Sequence, residues 1–197
     1  MAITVSIYFD FGGTDNSPGT STDIDALGPP RLRFKLADNA TIDTNDQMQL
    51  PSAGSGPYYS CWKHIYFYCD DPDDKTLSNI RLYSDGSNGY GTGCDLKVGL
   101  QFPVHNSVAT TGYDVAHAAV SGTSTELVTG HGDITSSATL FNYTVSSPLT
   151  VSVSEDGSVI DAAGETSNYV LLQFSVANTA SAGTTATETF YFVYDYT

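Results

Sequence analysis

Apolar residues in this 197-residue chain recur in short runs at every second position, and that spacing constrains the fold more than any other feature. In "NYVLLQFSVA", Val170, Leu172, Phe174 and Val176 fall on one side; in "ETFYFVYDYT", Phe190, Phe192 and Tyr194 do the same. Successive side chains of an extended strand point to opposite faces, so a period of two makes a ribbon with one oily face that must pack on another ribbon. No window of helical length keeps an apolar 3.6-residue period between breakers. Alternation bounded by Gly, Pro, Asn, Asp and Ser clusters predicts strands near residues 3–9, 31–37, 60–69, 77–83, 94–102, 149–154, 168–177 and 186–194. Weaker candidates lie at 114–120, 125–129 and 139–145. The expected fold is all-β: a single antiparallel β-sandwich over residues 1–197, of jelly-roll or immunoglobulin-like Greek-key type. The polar link "NTASAGTTAT" reads as the tip of a closing hairpin.

Two stretches carry few apolar residues and many turn formers, one at 12–30 ("GGTDNSPGTSTDIDALGPP") and one at 39–58. Both read as long surface loops. In a chain with few helices, such loops are either mobile or ordered by packing on a neighbouring subunit, and the second favours a homo-oligomer. If the chain has an internal break, "SGTSTE" from Ser121 is the best position for it.

Seven Lys and Arg stand against 22 Asp and Glu, a formal charge of -15. Such a field repels a phosphate backbone, and the one basic stripe, Arg31, Arg33 and Lys35, alternates with Leu32, Phe34 and Leu36 as a solvated strand face would. Direct nucleic-acid binding is therefore not expected. No apolar run approaches membrane-spanning length, so no membrane partner is expected either. The start "MAITVSIYFDFGG" lacks a basic region followed by an apolar one, which points to synthesis without a signal peptide.

The stretch "CWKHIYFYCDDPDDKTLSNIRLYSDG", Cys61 to Gly86, reads as a central hairpin. Cys61 and Cys69 lie eight residues apart in one strand, roughly 26 Å if it is unbroken, far beyond disulfide reach. Buried free thiols are expected, the alternative being one disulfide involving Cys94. Lys63, Ile65 and Phe67 share a face with the two cysteines, and Trp62, His64, Tyr66 and Tyr68 share the other. Large bodies on both faces suit a strand covered on each side, or one whose outer face meets another subunit. Trp62, Tyr66 and Tyr68 are the candidate interface or glycan-stacking platform. In the turn "DDPDD", Asp70, Asp71, Asp73 and Asp74 are a candidate calcium site, although the ligand spacing, glycine and closing glutamate of an EF-hand are missing and a turn favours Asp and Pro anyway. Apart from that site no cofactor is expected. The glycine-rich "SDGSNGYGTG" leads into a strand rather than a helix and has no Walker lysine, so it reads as a hairpin tip. His64, His105, His117 and His131 form no short ligand pair, and no GxSxG elbow supports a triad with His131 and Asp133. The chain is not expected to be an enzyme.

The stretch "TLSNIRLYSDGSNGYGTGCDLKVGLQF" together with the ending "TATETFYFVYDYT" resembles the small β-sandwich structural proteins of virions of tailed bacterial and archaeal viruses. The resemblance implies a virion component, such as a head decoration, capsid-associated or tail-associated protein, whose partners are copies of itself and other virion proteins. It carries over no functional residue. Tyr58, Tyr59, Tyr66, Tyr68, Tyr83 and Tyr90 are the tyrosines available for such contacts, and strand tyrosines also pack internally. The alternative is a carbohydrate-binding, lectin-like sandwich that uses Trp62, Tyr66 and Tyr68 as its platform.

Overall fold

A computed structural model of the chain describes residues 2–28, 31–41, 45–115, 122–183 and 185–197. Two antiparallel sheets stack face to face, as the two-residue period requires. The larger runs in the order β2 (Ser17–Asp23), β1 (Thr4–Thr14), β4 (Lys63–Asp71), β9 (Val170–Val176), β6 (Cys94–Gly99), β7 (Ser137–Thr139), with the short β3 (Tyr58–Tyr59) also pairing with β9. The smaller sheet is β10 (Phe190–Tyr196), β5 (Leu77–Ser84), β8 (Leu149–Thr150). Among the described residues, helix is limited to the four-residue turn α1 (Leu127–Gly130) and three 3-10 turns.

The main core lies between the sheets. Ile65, Phe67 and Cys69 of β4, Leu96 and Val98 of β6 and the four alternating residues of β9 face Ile80 and Leu82 of β5, while Phe190, Phe192 and Tyr194 pack in from β10. The Phe67 ring meets those of Phe192 at 6.5 Å and Tyr194 at 5.3 Å. Each fully buried Leu, Ile or Phe contributes about 1.5–3 kcal/mol relative to exposure, so this layer is the main stabilising term.

Three expected hairpins are instead crossings between sheets. The link from β4 to β5 leaves the large sheet for the small one, that from β5 to β6 returns, and that from β9 to β10 leaves again. The cause is that the inward faces of consecutive strands meet face to face rather than edge to edge; alternation alone is identical in the two cases. The expected loop at 12–30 is in large part a true hairpin. β1 and β2 pair from Tyr8↔Asp23 to Thr14↔Ser17 around Asp15 and Asn16, and Asn16 takes the left-handed turn conformation (φ 63°). Gly13 (φ 102°) is required there, because a Cβ would lie 2.4 Å from the Gly19 amide.

Residues 31–37 form no ladder. They are irregular, with bends at Leu36 and Ala37, and bond through the Leu36 amide to Asp46 and the Cys61 amide to Lys35, while Leu32 and Phe34 still pack on the core. The basic stripe disperses: Arg31 pairs with exposed Asp25 at 2.5 Å, and Lys35 is buried. Residues 125–129 contribute to the turn α1 instead of a strand, and 139–145 hold the end of β7 and a 3-10 turn at Leu140–Asn142. Gly130 closes α1 where a Cβ would strike Thr125 at 2.4 Å and Trp62 at 2.9 Å. Most of the 114–120 candidate, with His117, and Ser121 at the suggested break lie outside the described residues.

The described parts of the connection between β6 and β7, residues 100–115 and 122–136, roof the outer face of the large sheet. Tyr113, Leu127 and Ile134 from this roof form a second buried cluster with Trp62, Tyr66, Tyr169 and Leu171 from the sheet. Polar bonds pin it down. Trp62 Nε1 donates to the Thr125 carbonyl (3.2 Å), the Leu127 amide to Gln173 Oε1 (2.7 Å), and the Tyr113 hydroxyl to the Gly12 carbonyl (3.0 Å) and Asp38 Oδ2 (2.9 Å).

Candidate functional site

The proposed platform is not presented on the surface. Trp62 is 0% and Tyr66 4% exposed, both beneath the chain's own roof, and only Tyr68 is half-buried, its ring against Tyr8 at 4.8 Å. The strand is covered on both faces, as its two bulky sides require, and on the outer side the cover is intramolecular. Of the other tyrosines, Tyr59 donates to Glu126 Oε1 (3.0 Å) and Tyr90 packs edge-on against Phe141 and Phe174. Neither is free for a partner.

Under the roof the large sheet carries polar groups whose proximity no sequence spacing announces. Asp10, fully buried on β1, accepts hydrogen bonds from the hydroxyls of Ser21, Tyr169 and Tyr66 (the last at 3.3 Å), and His105 Nε2 stands 3.8 Å from its Oδ2. Burial pushes the Asp10 carboxyl above the usual carboxylate range, although the three hydroxyls pull the other way. Burial lowers His105 to about 4; its Nδ1 bonds Thr166 Oγ1 at 2.7 Å and its ring stacks on Tyr66 at 4.0 Å. His64 and His131 meet nearby through their Nε2 atoms. Asp10 is fully buried, and the cluster holds hydrogen bonds and protons in place beneath the roof.

On the opposite face of β4, Lys63 is also fully buried. Its Nζ donates to the Asn39 carbonyl (3.3 Å) and lies 5.1 Å from the centre of the Phe9 ring. Burial lowers its pKa, with Asp38 partly opposing.

Two carboxylates of the acidic turn accept hydrogen bonds. Asp70 Oδ2 accepts from Ser6 Oγ (2.8 Å), and Asp71 Oδ1 accepts the Asp73 amide (2.9 Å) in a local turn. Among the described residues, no three His, Cys, Asp or Glu side chains form a group able to hold a metal. Asp73 and Asp74 take left-handed backbone (φ 53° and 59°), which Asn adopts as readily as Asp. Asp73→Asn with Asp74→Asn is therefore expected to leave Tm within about 2 °C of the parent. A larger loss, reproduced by adding a chelator to the parent, would establish calcium there.

Cys61, Cys69 and Cys94 are all free thiols, two buried and one half-buried; Cys61 Sγ donates to the Leu36 carbonyl at 2.6 Å. The glycine-rich stretch crosses between the sheets, and Gly93 (φ 77°) sits where a Cβ would lie 2.6 Å from the Ala180 amide. That is a packing reason for the glycine. His131 accepts the Asp133 backbone amide through Nδ1 (3.1 Å), not its carboxylate, so no triad forms there.

What the fold does present is the outer face of the small sheet. Cross-strand pairing sets Tyr191 opposite Tyr83 and Val193 opposite Arg81, with Thr150 of β8 on the other side of Arg81. The Tyr83 and Tyr191 rings stack at 5.1 Å, and Tyr191 is 46% exposed. The charges among these residues cancel, Arg81 pairing with Asp195 at 2.5 Å. β10 is also an outermost strand: among the described residues nothing pairs with its free side, and Tyr196 at its end is 61% exposed. Tyr83 was among the tyrosines expected at contacts; Tyr191 and Val193 were not singled out. The signal was present, since placing Phe190, Phe192 and Tyr194 inside puts the residues between them outside.

Comparison of this chain with protein-family models, with curated proteins and with solved structures finds no match.

Proposed function

We propose that this chain is a structural component of a virion, a head decoration, capsid-associated or tail-associated protein, acting through symmetric contacts among its own copies and with other virion proteins. The observation that carries the reading is the outer face of the small sheet with its unpaired edge. Tyr83, Tyr191 and Val193 supply aromatic and aliphatic contact area beside open ladder positions on β10. Unpaired apolar edges are sites where another chain adds on. On a molecule with a net charge of -15, a face whose ion pair is internally neutral is where like copies can approach without strong repulsion. The carbohydrate-binding alternative draws no support from Trp62 and Tyr66, which are buried.

The test is mass in solution by light scattering, together with peptide mass spectrometry of purified particles. The expected result is a discrete oligomer, reduced to monomer by Tyr191→Glu with Val193→Glu while the circular dichroism spectrum is unchanged. A parent protein that stays monomeric at high concentration, and is missing from purified particles, would overturn the proposal.

A further inference from the structure

Two imidazoles close the roof onto the large sheet. His64 projects from β4, His131 from the residue after α1, and their Nε2 atoms lie 3.4 Å apart with both rings buried. The protons in this contact can be assigned from neighbouring donors. The Asp133 amide donates to His131 Nδ1, so His131 carries its proton on Nε2, the atom that faces His64. His64 Nε2 is therefore an acceptor, and the Asp114 amide approaches the same atom at 3.4 Å. The His64 proton then lies on Nδ1, which is buried and has no hydrogen-bond partner among the described residues.

The contact between the two Nε2 atoms holds only while both rings are neutral. A proton added at His131 Nδ1 would face the Asp133 N–H, and one added at His64 Nε2 would set N–H against N–H. We propose that the His64–His131 contact is an acid-released latch: on acidification the part of the roof that carries His131 lifts from the large sheet and uncovers Trp62.

The surroundings decide the direction. Around His64 stand Tyr113 (ring centres 4.6 Å apart), Tyr169 (5.3 Å), His131 and, on its own strand, Lys63. Burial, then His131, then Lys63 hold His64 well below the usual histidine value. His131 faces Trp62 at 5.3 Å, with the carboxylates of Asp114, Asp133 and Asp15 near it. Those acids and a hydrogen bond to the Gly112 backbone favour its cation, but burial outweighs them and its pKa is lowered. At the other end of the roof, His105 sits over Tyr66 and Tyr169 and beside Asp10 and is lowered as well. Asp10 opposes these groups. Its raised pKa means the closed form takes up that proton first, so its contribution favours closure as pH falls. Each histidine that is neutral when closed and ordinary when open multiplies the open population by about tenfold per pH unit below roughly 6.5, so two acting together give about 100-fold.

Trp62 is the single tryptophan and lies against His131, which makes it the reporter. Lowering pH from 7.5 to 4 is expected to red-shift its emission with a midpoint between about 4 and 6, while the far-ultraviolet dichroism of the sheets persists. His131→Phe, which keeps a ring but accepts no proton, should move that midpoint down by about one pH unit or more. A second measurement on the unaltered protein covers a variant that does not fold. Hydrogen exchange corrected for intrinsic rate should show peptides spanning 127–134 losing protection at pH 4.5 while those spanning 170–176 keep it. Emission and dichroism changing together, or 127–134 remaining protected at pH 4.5, would overturn the latch.

Discussion

Asp10→Ala is expected to destabilise the protein by about 2–5 kcal/mol, and Asp10→Asn by much less. The carboxylate is the shared acceptor for two buried phenols, Tyr66 and Tyr169, and for Ser21. Removing it leaves the phenol donors sealed under the roof with nothing to bond, at about 1–3 kcal/mol for each unsatisfied buried group. Ser21 is exposed and recovers its bond from water. Asn keeps a carbonyl acceptor in nearly the same place and removes a charge that burial disfavours. The two variants therefore separate the need for an acceptor from any need for a charge. For a chain of this length the Ala loss corresponds to a fall in Tm on the order of 10 °C. Equal losses for both variants, measured by urea unfolding at pH 7, would show that the negative charge itself holds the cluster. Linkage gives a further check. The folded-state pKa of Asp10 is raised, so its ionisation contributes a stability loss as pH rises through the window above its unfolded value, and Asp10→Asn should flatten that part of the pH profile.

The layers of the fold were legible because they depend on local alternation. Val170, Leu172, Phe174 and Val176 face the interior and so do Phe190, Phe192 and Tyr194, as a period of two demands. Partner choice was not legible. β4 and β5 have the inward alternation of a hairpin, yet they lie in different sheets, and nothing in Cys61–Gly86 encodes which geometry is used. β2 was missed for a different reason. "SPGTSTD" has no apolar residue to alternate, and the strand is held by pairing with β1 at the sheet's edge. At 31–37 the reverse occurred: alternation was real and Leu32 and Phe34 do turn inward, but the backbone bonds irregularly to Asp46 and Cys61.

The buried polar cluster was illegible for a topological reason. Asp10, His64, His105, Tyr169 and His131 come from positions up to 159 residues apart, as in the Tyr169–Asp10 bond. They meet because 100–115 and 122–136 fold over the sheet. The aromatic face of β4 pointed to a cover without naming it, and an intramolecular roof satisfies that requirement as fully as a second subunit would.

Trp62→Ala separates these two covers most sharply and is expected to cost about 3–5 kcal/mol in the isolated chain. The indole is 0% exposed, donates to the Thr125 carbonyl, and lies where a Cβ at Gly130 would come within 2.9 Å of its ring. Truncation deletes the bond to the Thr125 carbonyl and leaves a cavity beneath α1 that the roof can fill only by giving up the bonds of Thr125 and Leu127 to Gln173. An exposed stacking platform behaves differently: removing a solvent-facing ring changes stability by about 0.5 kcal/mol or less and abolishes ligand binding instead. Trp62→Phe should recover most of the packing but not the indole hydrogen bond, giving an intermediate loss of about 1–2 kcal/mol. The order Ala, then Phe, then parent in chemical denaturation of a monomeric sample places the cover within one chain. If Trp62→Ala unfolds at the same denaturant concentration as the parent, the roof does not pack on β4 as described, and the latch loses its hinge against the sheet.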